Sequence, residues 1–564
     1  MTRTETTPLR ATASRVVLPE DCATRWGNEG LEVLSTPAIL GEMERLCAEG
    51  MGRFLKPGQM SVGVTVTMNH RAAAPVGATV HYEVTAAAVD RRTEFAFTVR
   101  DETGTVLCDG NHRRAVVDLE RFHAQLTASE KEEKVSAAPT TNATDATAPT
   151  APPPQRPVAV RARGARVWDE RGREYIDGSS GAVCVNLGHG VPEVLDAMRT
   201  QAERITFVHR SQFAHHAVQD LSAEILSIAG PGYREVVYTN SGSEATETAL
   251  RLALHHHAAD PARAVVLTQF PSYHGMTAGA LGVSGHPPRR RHLDALHNGS
   301  ATTVPVAPGD PGRLLPDLAD WRAAFARTGP ARVAAVLLEP VGGAASGACE
   351  VPDEVLHGLR DLCDASGALL AVDEVMTGFG RTGWWFGHSR SGVTPDLVVT
   401  GKGLSAGYTP IGACLVGDRV LPGWSATDLA FGHTMGGNPL SAATALAVLA
   451  YTREHDLPGR AERAGAVLRE GLAETAASVP FLGAPRGCGL LLALPIHQNL
   501  EGFARAPLAA RICAAAERNG LIVYPAGVDH RYQALLVAPP LTIDDADLRE
   551  LLTRLRAAVT EVDA

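Results

Sequence analysis

The chain of 564 residues reads as two folded units, an α+β unit followed by a larger α/β unit whose mostly parallel sheet is covered by helices on both faces. Three observations predict this. From about Val16 to Gln125 one stretch of helical spacing gives way to segments that alternate apolar and polar residues. From about Thr127 to Pro157 large apolar side chains almost vanish, and a segment that cannot bury surface cannot offset the entropy of ordering its backbone. Beyond Val158 short apolar runs alternate with helical stretches, the signature of parallel strands joined by crossover helices.

In the first unit, residues 1–126, Ile39, Met43, Leu46 and Cys47 recur at helical spacing, and Lys56-Pro57-Gly58 ends the pattern. Strands follow at Val62, Val64 and Val66, at Val80, Tyr82 and Val84, at Phe95, Phe97 and Val99, and at Ala115 and Val117. The turns between them are Pro75-Val76-Gly77, Asp90-Arg91-Arg92 and Glu102-Thr103-Gly104. One helix and an antiparallel meander predict a sheet curled around that helix, the hot-dog arrangement. Residues 127–157, rich in Ala, Thr and Pro, form the expected linker.

The second unit, residues 158–564, opens with two short strands turning at Arg163-Gly164 and at Glu170-Arg171-Gly172. A helix is expected from Pro192, and strands at Glu235 to Tyr238, Ala264 to Leu267 and Val333 to Leu338. Two further buried strands carry chemistry. Leu369-Leu370-Ala371-Val372 delivers Asp373, and Leu397-Val398-Val399 delivers Lys402 between Gly401 and Gly403. An acid and a lysine so placed suit pyridoxal phosphate: the amine holds the aldehyde, and the acid keeps the pyridine nitrogen protonated. The turn Ser241-Gly242-Ser243 at the start of a helix offers N–H groups and a favourable dipole to the phosphate.

Asp373-Glu374-Val375, Gly378-Phe379-Gly380-Arg381-Thr382-Gly383 and Gly401-Lys402-Gly403, in that order, resemble a class III (omega-type) pyridoxal-phosphate aminotransferase. The resemblance covers Val158 to the C-terminus and implies the PLP-dependent transferase fold type I. It implies further that Tyr273 stacks on the cofactor ring, Glu339 lies near its phenol side, Val375 packs behind the pyridine, and Thr434 reaches the phosphate of a partner subunit in a homodimer. Lys402 would carry the proton between substrate and cofactor, passing an amino group from an amine or amino acid to a keto acid or aldehyde. Arg531 is a candidate clamp for a substrate carboxylate, since a guanidinium suits a planar anion. Racemases, aminomutases and decarboxylases share the motif, so they stay open.

In the first unit Thr36, Glu44 and His70 supply a hydroxyl, a carboxylate and an imidazole, groups able to activate a nucleophile or water against a thioester. The alternative is a helix cap, a wet helix face and a turn. Thr36-Pro37, Gly41-Glu42-Met43-Glu44, Ser61-Val62-Gly63, His70 and Gly110-Asn111-His112-Arg113-Arg114 resemble a fluoroacetyl-CoA-thioesterase-like protein. By that resemblance Thr36, Glu44 and His70 are catalytic and Gly63 is a backbone donor near the thioester carbonyl. Gly27-Asn28-Glu29-Gly30 lacks the family's phenylalanine lid, so a different small acyl-CoA is expected. A non-catalytic acyl-binding or dimerisation module is the other reading.

Composition narrows the rest. A net charge of -10 argues against a nucleic-acid surface, and the one dense basic run, Arg289-Arg290-Arg291-His292, reads as a solvated loop. Nine cysteines without a Cys-x-x-Cys pair suit a reducing cytoplasm, with no disulfide frame and no metal. His255-His256-His257 point in different directions on a helix and read as a polar helix end. Met1 to Arg15 shows no signal-peptide pattern, and no apolar run is long enough to span a membrane.

Overall fold

The computed structural model describes residues 9–26, 30–56, 58–118, 156–291, 301–306, 312–420, 432–497 and 508–563. The chain divides into two compact units, residues 1–151 and 152–564. Nearly all of the expected linker lies outside the described residues.

In the first unit helix α1 (Thr36–Gly52) begins where Ser35 Oγ accepts the Ala38 N–H, with Pro37 in the first turn. Ser35, and not Thr36, is the cap, so the Thr36 hydroxyl remains available to other partners. Ile39, Met43, Leu46, Cys47 and Met51 form the buried stripe. Around it curls an antiparallel sheet of β1 (Leu9–Val16), β2 (Gln59–His70), β3 (Thr79–Ala86), β4 (Arg92–Asp101) and β5 (Val106–Asp118), in the order β1-β3-β4-β5-β2. Phe95, Phe97, Val80, Val84 and Val99 face the helix from the sheet, each buried side chain contributing roughly 1.5–3 kcal/mol. Strand β1 is not evident from the sequence. Its inward positions are Leu9, Ala11 and Ala13, and two alanines in three give too weak an alternation.

The second unit opens with β6 (Ala159–Arg163), β7 (Arg166–Asp169) and β8 (Glu174–Asp177) and is built on a seven-stranded sheet. Its strands are β9 (Tyr233–Thr239), β10 (Val265–Gln269), β11 (Ala301–Val304), β12 (Val333–Leu338), β13 (Leu369–Asp373), β14 (Leu397–Thr400) and β15 (Gly412–Gly417). The order is β11-β10-β12-β13-β14-β15-β9, and only β15 runs antiparallel to its neighbours. Strands β12, β13 and β14 are buried along their whole length, as a sheet covered on both faces requires. Two four-stranded sheets complete the unit, one from residues 159–177 with Leu521–Ile522, the other from residues 486–537.

Arg381 ties these parts together. Its guanidinium, fully buried, donates to the Leu490 and Pro539 carbonyls, to Ser180 Oγ and to Asn186 Oδ1 at 2.6–3.2 Å. Burial pulls its pKa down to about 9.

Candidate active sites

Parallel strands gather the first site, because ligands of such sheets bind beyond the strands' carboxyl ends. Strand β13 ends at Asp373, β14 leads to Lys402, β12 to Glu339, β10 to Tyr273, and β9 to the first turn of helix α2 (Gly242–His256). These converge on a cavity of about 160 Å³ lined by Gly242, Ser243, Tyr273, His274, Gly275, Glu339, Asp373, Val375, Met376 and Lys402. Of the cofactor and substrate residues predicted for this unit, Thr434 and Arg531 are outside this lining.

Asp373 is 5% exposed. Its Oδ2 accepts from His274 Nδ1 at 2.8 Å and its Oδ1 from the Val375 N–H at 3.0 Å. His274 Nε2 lies 3.2 Å from the Thr268 hydroxyl, a second hydrogen bond that holds the ring's orientation. His274 was given no role by sequence reasoning. The usable signal was that a carboxylate emerging from a buried strand needs a donor, and Tyr273-His274-Gly275 follows the expected strand at Ala264 to Leu267.

Glu339 accepts from the Tyr273 N–H and the Gly343 N–H, both at 3.0 Å, and burial raises its pKa to about 6. Lys402 has φ +36°, a left-handed conformation costly for a lysine and frequent where structure serves function. Burial pushes its pKa down, and Asp373 partly opposes that. Gly401 is there for close approach: a Cβ would stand 3.3 Å from the Gly242 N. At the helix start Ser241 Oγ caps Glu244 N, and Ser243 Oγ accepts from the Met276 N–H at 3.1 Å. A flat ring with an anionic arm fits this arrangement, the arm at the α2 N-terminus and a ring nitrogen toward Asp373.

Thr434 is exposed in the single chain. Arg531 is exposed too, and its Nη2 donates to the Arg313 carbonyl at 2.7 Å. The basic run is not wholly a solvated loop. Helix α3 (Pro287–Arg290) half-buries Arg289, whose guanidinium carbon lies 4.2 Å from the centre of the Tyr273 ring. Among the described residues no group of histidines, cysteines and acids could hold a metal ion, and no helix is long and apolar enough to cross a membrane.

In the first unit the expected trio separates into two clusters. Thr36 Oγ1 and His70 Nδ1 are hydrogen-bonded at 3.1 Å. Glu44 accepts from Arg114 Nη1 at 2.6 Å and has His112 Nε2 at 3.5 Å. Eight residues of helix separate Thr36 from Glu44, ~12 Å along the axis, so one copy of the unit does not bring all three together. Gly63 belongs to the Glu44 cluster: a Cβ there would stand 2.2 Å from Glu44 Oε1. His112 and Arg114, buried and unassigned by sequence reasoning, make the floor of that cluster, and burial lowers the His112 pKa.

Comparison with known proteins agrees with this geometry. Residues 148–559 match the aminotransferase class-III family model, and residues 17–120 match that of the fluoroacetyl-CoA-specific thioesterase. An uncharacterized aminotransferase of Bacillus subtilis, YodT, is 34% identical over 426 residues, covering 72% of this chain and 96% of its own. A putrescine–pyruvate aminotransferase of Pseudomonas aeruginosa is 31% identical, covering 72% and 91%. Among solved structures, an (S)-enantioselective omega-transaminase from Thermomicrobium roseum superposes with a TM-score of 0.66 at 31% identity, covering 72% of this chain and 93% of its own. An amine transaminase from an uncultivated Pseudomonas species, in its PLP-bound form, gives 0.67 at 29%, covering 75% and 99%. The chain therefore belongs to the class-III aminotransferases, PLP-dependent enzymes of fold type I, and carries a separate thioesterase-family domain ahead of the transferase unit.

Proposed function

We propose that the second unit moves an amino group between an amine or amino acid and a keto acid or aldehyde, with Lys402 as the proton carrier. The observation that supports this most is the buried Asp373–His274 pair in one cofactor-sized cavity with Lys402. When bound, pyridoxal phosphate supplies an electron sink for the pair released as the substrate's α proton leaves. Asp373 would keep a proton on the ring nitrogen, and the hydrogen bond from His274 holds the Asp373 carboxylate aimed. Burial lowers the Lys402 pKa, so its Nζ is available as a base, taking the α proton and later returning it. Gly242 and Ser243 would seat the phosphate, Tyr273 would cover one face of the ring, Val375 would back it, and Glu339 would stand on the phenol side. Thr434 reaches the phosphate of a second copy in a homodimer.

For the first unit we infer hydrolysis of a small acyl-CoA. Thr36 and His70 form a hydroxyl–imidazole pair suited to nucleophile activation. A second reading, a binding or dimerisation module, is favoured by the distance of Glu44 from that pair within one copy. On the thioesterase reading the two units would act on one metabolite in consecutive steps.

The transferase reading is tested with the full chain in the presence of cofactor. Lys402→Arg is expected to abolish turnover, and wild type is expected to need a keto acceptor. Turnover of one substrate without any acceptor would instead indicate a racemase or mutase. For the first unit, acyl-CoA hydrolysis that survives both Thr36→Ala and His70→Ala would remove the thioesterase assignment.

A further inference from the structure

We propose that Arg289 receives the substrate's carboxylate beside the cofactor cavity, so that the enzyme selects amino and keto acids over uncharged amines and aldehydes. This rests on the aminotransferase reading above and specifies its substrate class.

Four features of the site lead to it. Arg289 is carried on α3 with its backbone N–H bonded to the His286 carbonyl at 3.1 Å, and its guanidinium carbon lies 4.2 Å from the centre of the Tyr273 ring. Tyr273 is itself a wall of the cavity, anchored through its backbone N–H to Glu339. A guanidinium resting on an aromatic face keeps its N–H fork at the edge, where a planar carboxylate can meet it with two bonds. Among the described residues no carboxylate pairs with Arg289, whereas Arg313 on a nearby segment is paired with Asp317 and Asp320.

The acids of the cavity cannot serve as that missing partner. Asp373 is engaged by His274, and Glu339 by two backbone N–H groups. The cofactor's ring and phosphate would take up a space of about 160 Å³, so the rest of a substrate bonded near Lys402 would extend past the cavity wall. Arg289 stands just beyond Tyr273 in that wall, close enough for its positive charge to depress the Lys402 pKa. An incoming carboxylate would neutralise that charge next to the reacting amine. Arg531, the sequence-based candidate, is held at the Arg313 carbonyl and is not among the lining residues.

The test uses cofactor-loaded full chain, as wild type, Arg289→Met and Arg289→Lys. Single-turnover half-reactions are followed by the cofactor's absorbance with two donor pairs that differ only in a carboxylate: alanine with ethylamine, and 4-aminobutanoate with propylamine. Calorimetric titration with propanoate, which has no amine to react, gives a binding readout independent of turnover. For Arg289→Met the rate-constant ratio of acid to amine is expected to fall about 10- to 100-fold, the size of a lost charge-assisted pair, and propanoate affinity to fall by a similar factor. Arg289→Lys is expected to restore part of both. An unchanged ratio overturns the proposal, whether both rates drop together, as for a residue that only positions Tyr273, or neither drops. A wild-type ratio of one or below overturns it as well. Wild type that reacts with none of the four donors sinks the aminotransferase reading instead, and the propanoate titration alone then decides whether Arg289 binds a carboxylate.

Discussion

Replacing Gly275 with alanine tests whether the phosphate seat depends on the close approach of two backbones. Gly275 has φ +137°, and a Cβ on it would lie 2.6 Å from Ser243 Oγ and 2.8 Å from Ser243 Cα and Cβ. The Cα is backbone in the first turn of α2, so the clash cannot be relieved by rotating a side chain. Backbone strain of about 1–3 kcal/mol and overpacking of about 1–3 kcal/mol place the total at roughly 2–6 kcal/mol. Gly392 is the internal control. It is exposed with φ +72° and has no atom within 4 Å of its would-be Cβ, so Gly392→Ala carries only the left-handed penalty of about 1–2 kcal/mol. Urea unfolding of the cofactor-free proteins measures the stability difference, and equilibrium dialysis measures cofactor affinity. Gly275→Ala is expected to be the less stable by about 1–4 kcal/mol and to bind cofactor at least about tenfold more weakly, since Ser243 is pushed from the helix start that faces the phosphate. Equal midpoints and equal affinities for the two variants would refute the reasoning.

Three further outcomes are expected. Asp373→Asn keeps an acceptor for His274 but loses a charge worth about 4 kcal/mol at 4 Å, so the half-reaction slows about 10³-fold; single-turnover absorbance checks this, and a loss under about tenfold counts against it. His286, 7% exposed, has its pKa lowered by burial from the usual 6.5 to about 4, so the native state binds fewer protons than the unfolded chain across that window and stability is lost as pH falls through it. Relative to His286→Gln, wild type should lose up to ~3 kcal/mol between pH 7 and pH 4 in denaturant titrations. Gly63→Ala displaces the flexible end of Glu44 from Arg114, and is expected to destabilise the first unit by only about 1–2 kcal/mol while reducing acyl-CoA hydrolysis measured by free thiol release.

Much of the transferase site was legible because its positions obey a local rule. A fully apolar run such as Leu369 to Val372 must be a covered strand, and a charge at its end must face a ligand or a partner. Contacts set by strand order were not legible. His274 meets Asp373 across 99 residues because β10 and β13 flank β12, and no local pattern encodes that neighbourhood. Arg289 looked like a solvated charge because it opens a run of three arginines, yet the turn of α3 lays one of the three on Tyr273. Glu44 has a helical position that reads as wet. Its partner Arg114 lies 70 residues away on β5, where burial leaves the pair sharing one small cluster.

Arg381 has a consequence for how the transferase unit comes apart. The four groups it bonds lie in segments around Ser180, Asn186, Leu490 and Pro539, so peeling any one of them away strands a cation in an apolar interior. Partial opening is thereby made expensive at both ends of the unit, and these four segments are expected to let go of one another in a single step rather than one at a time.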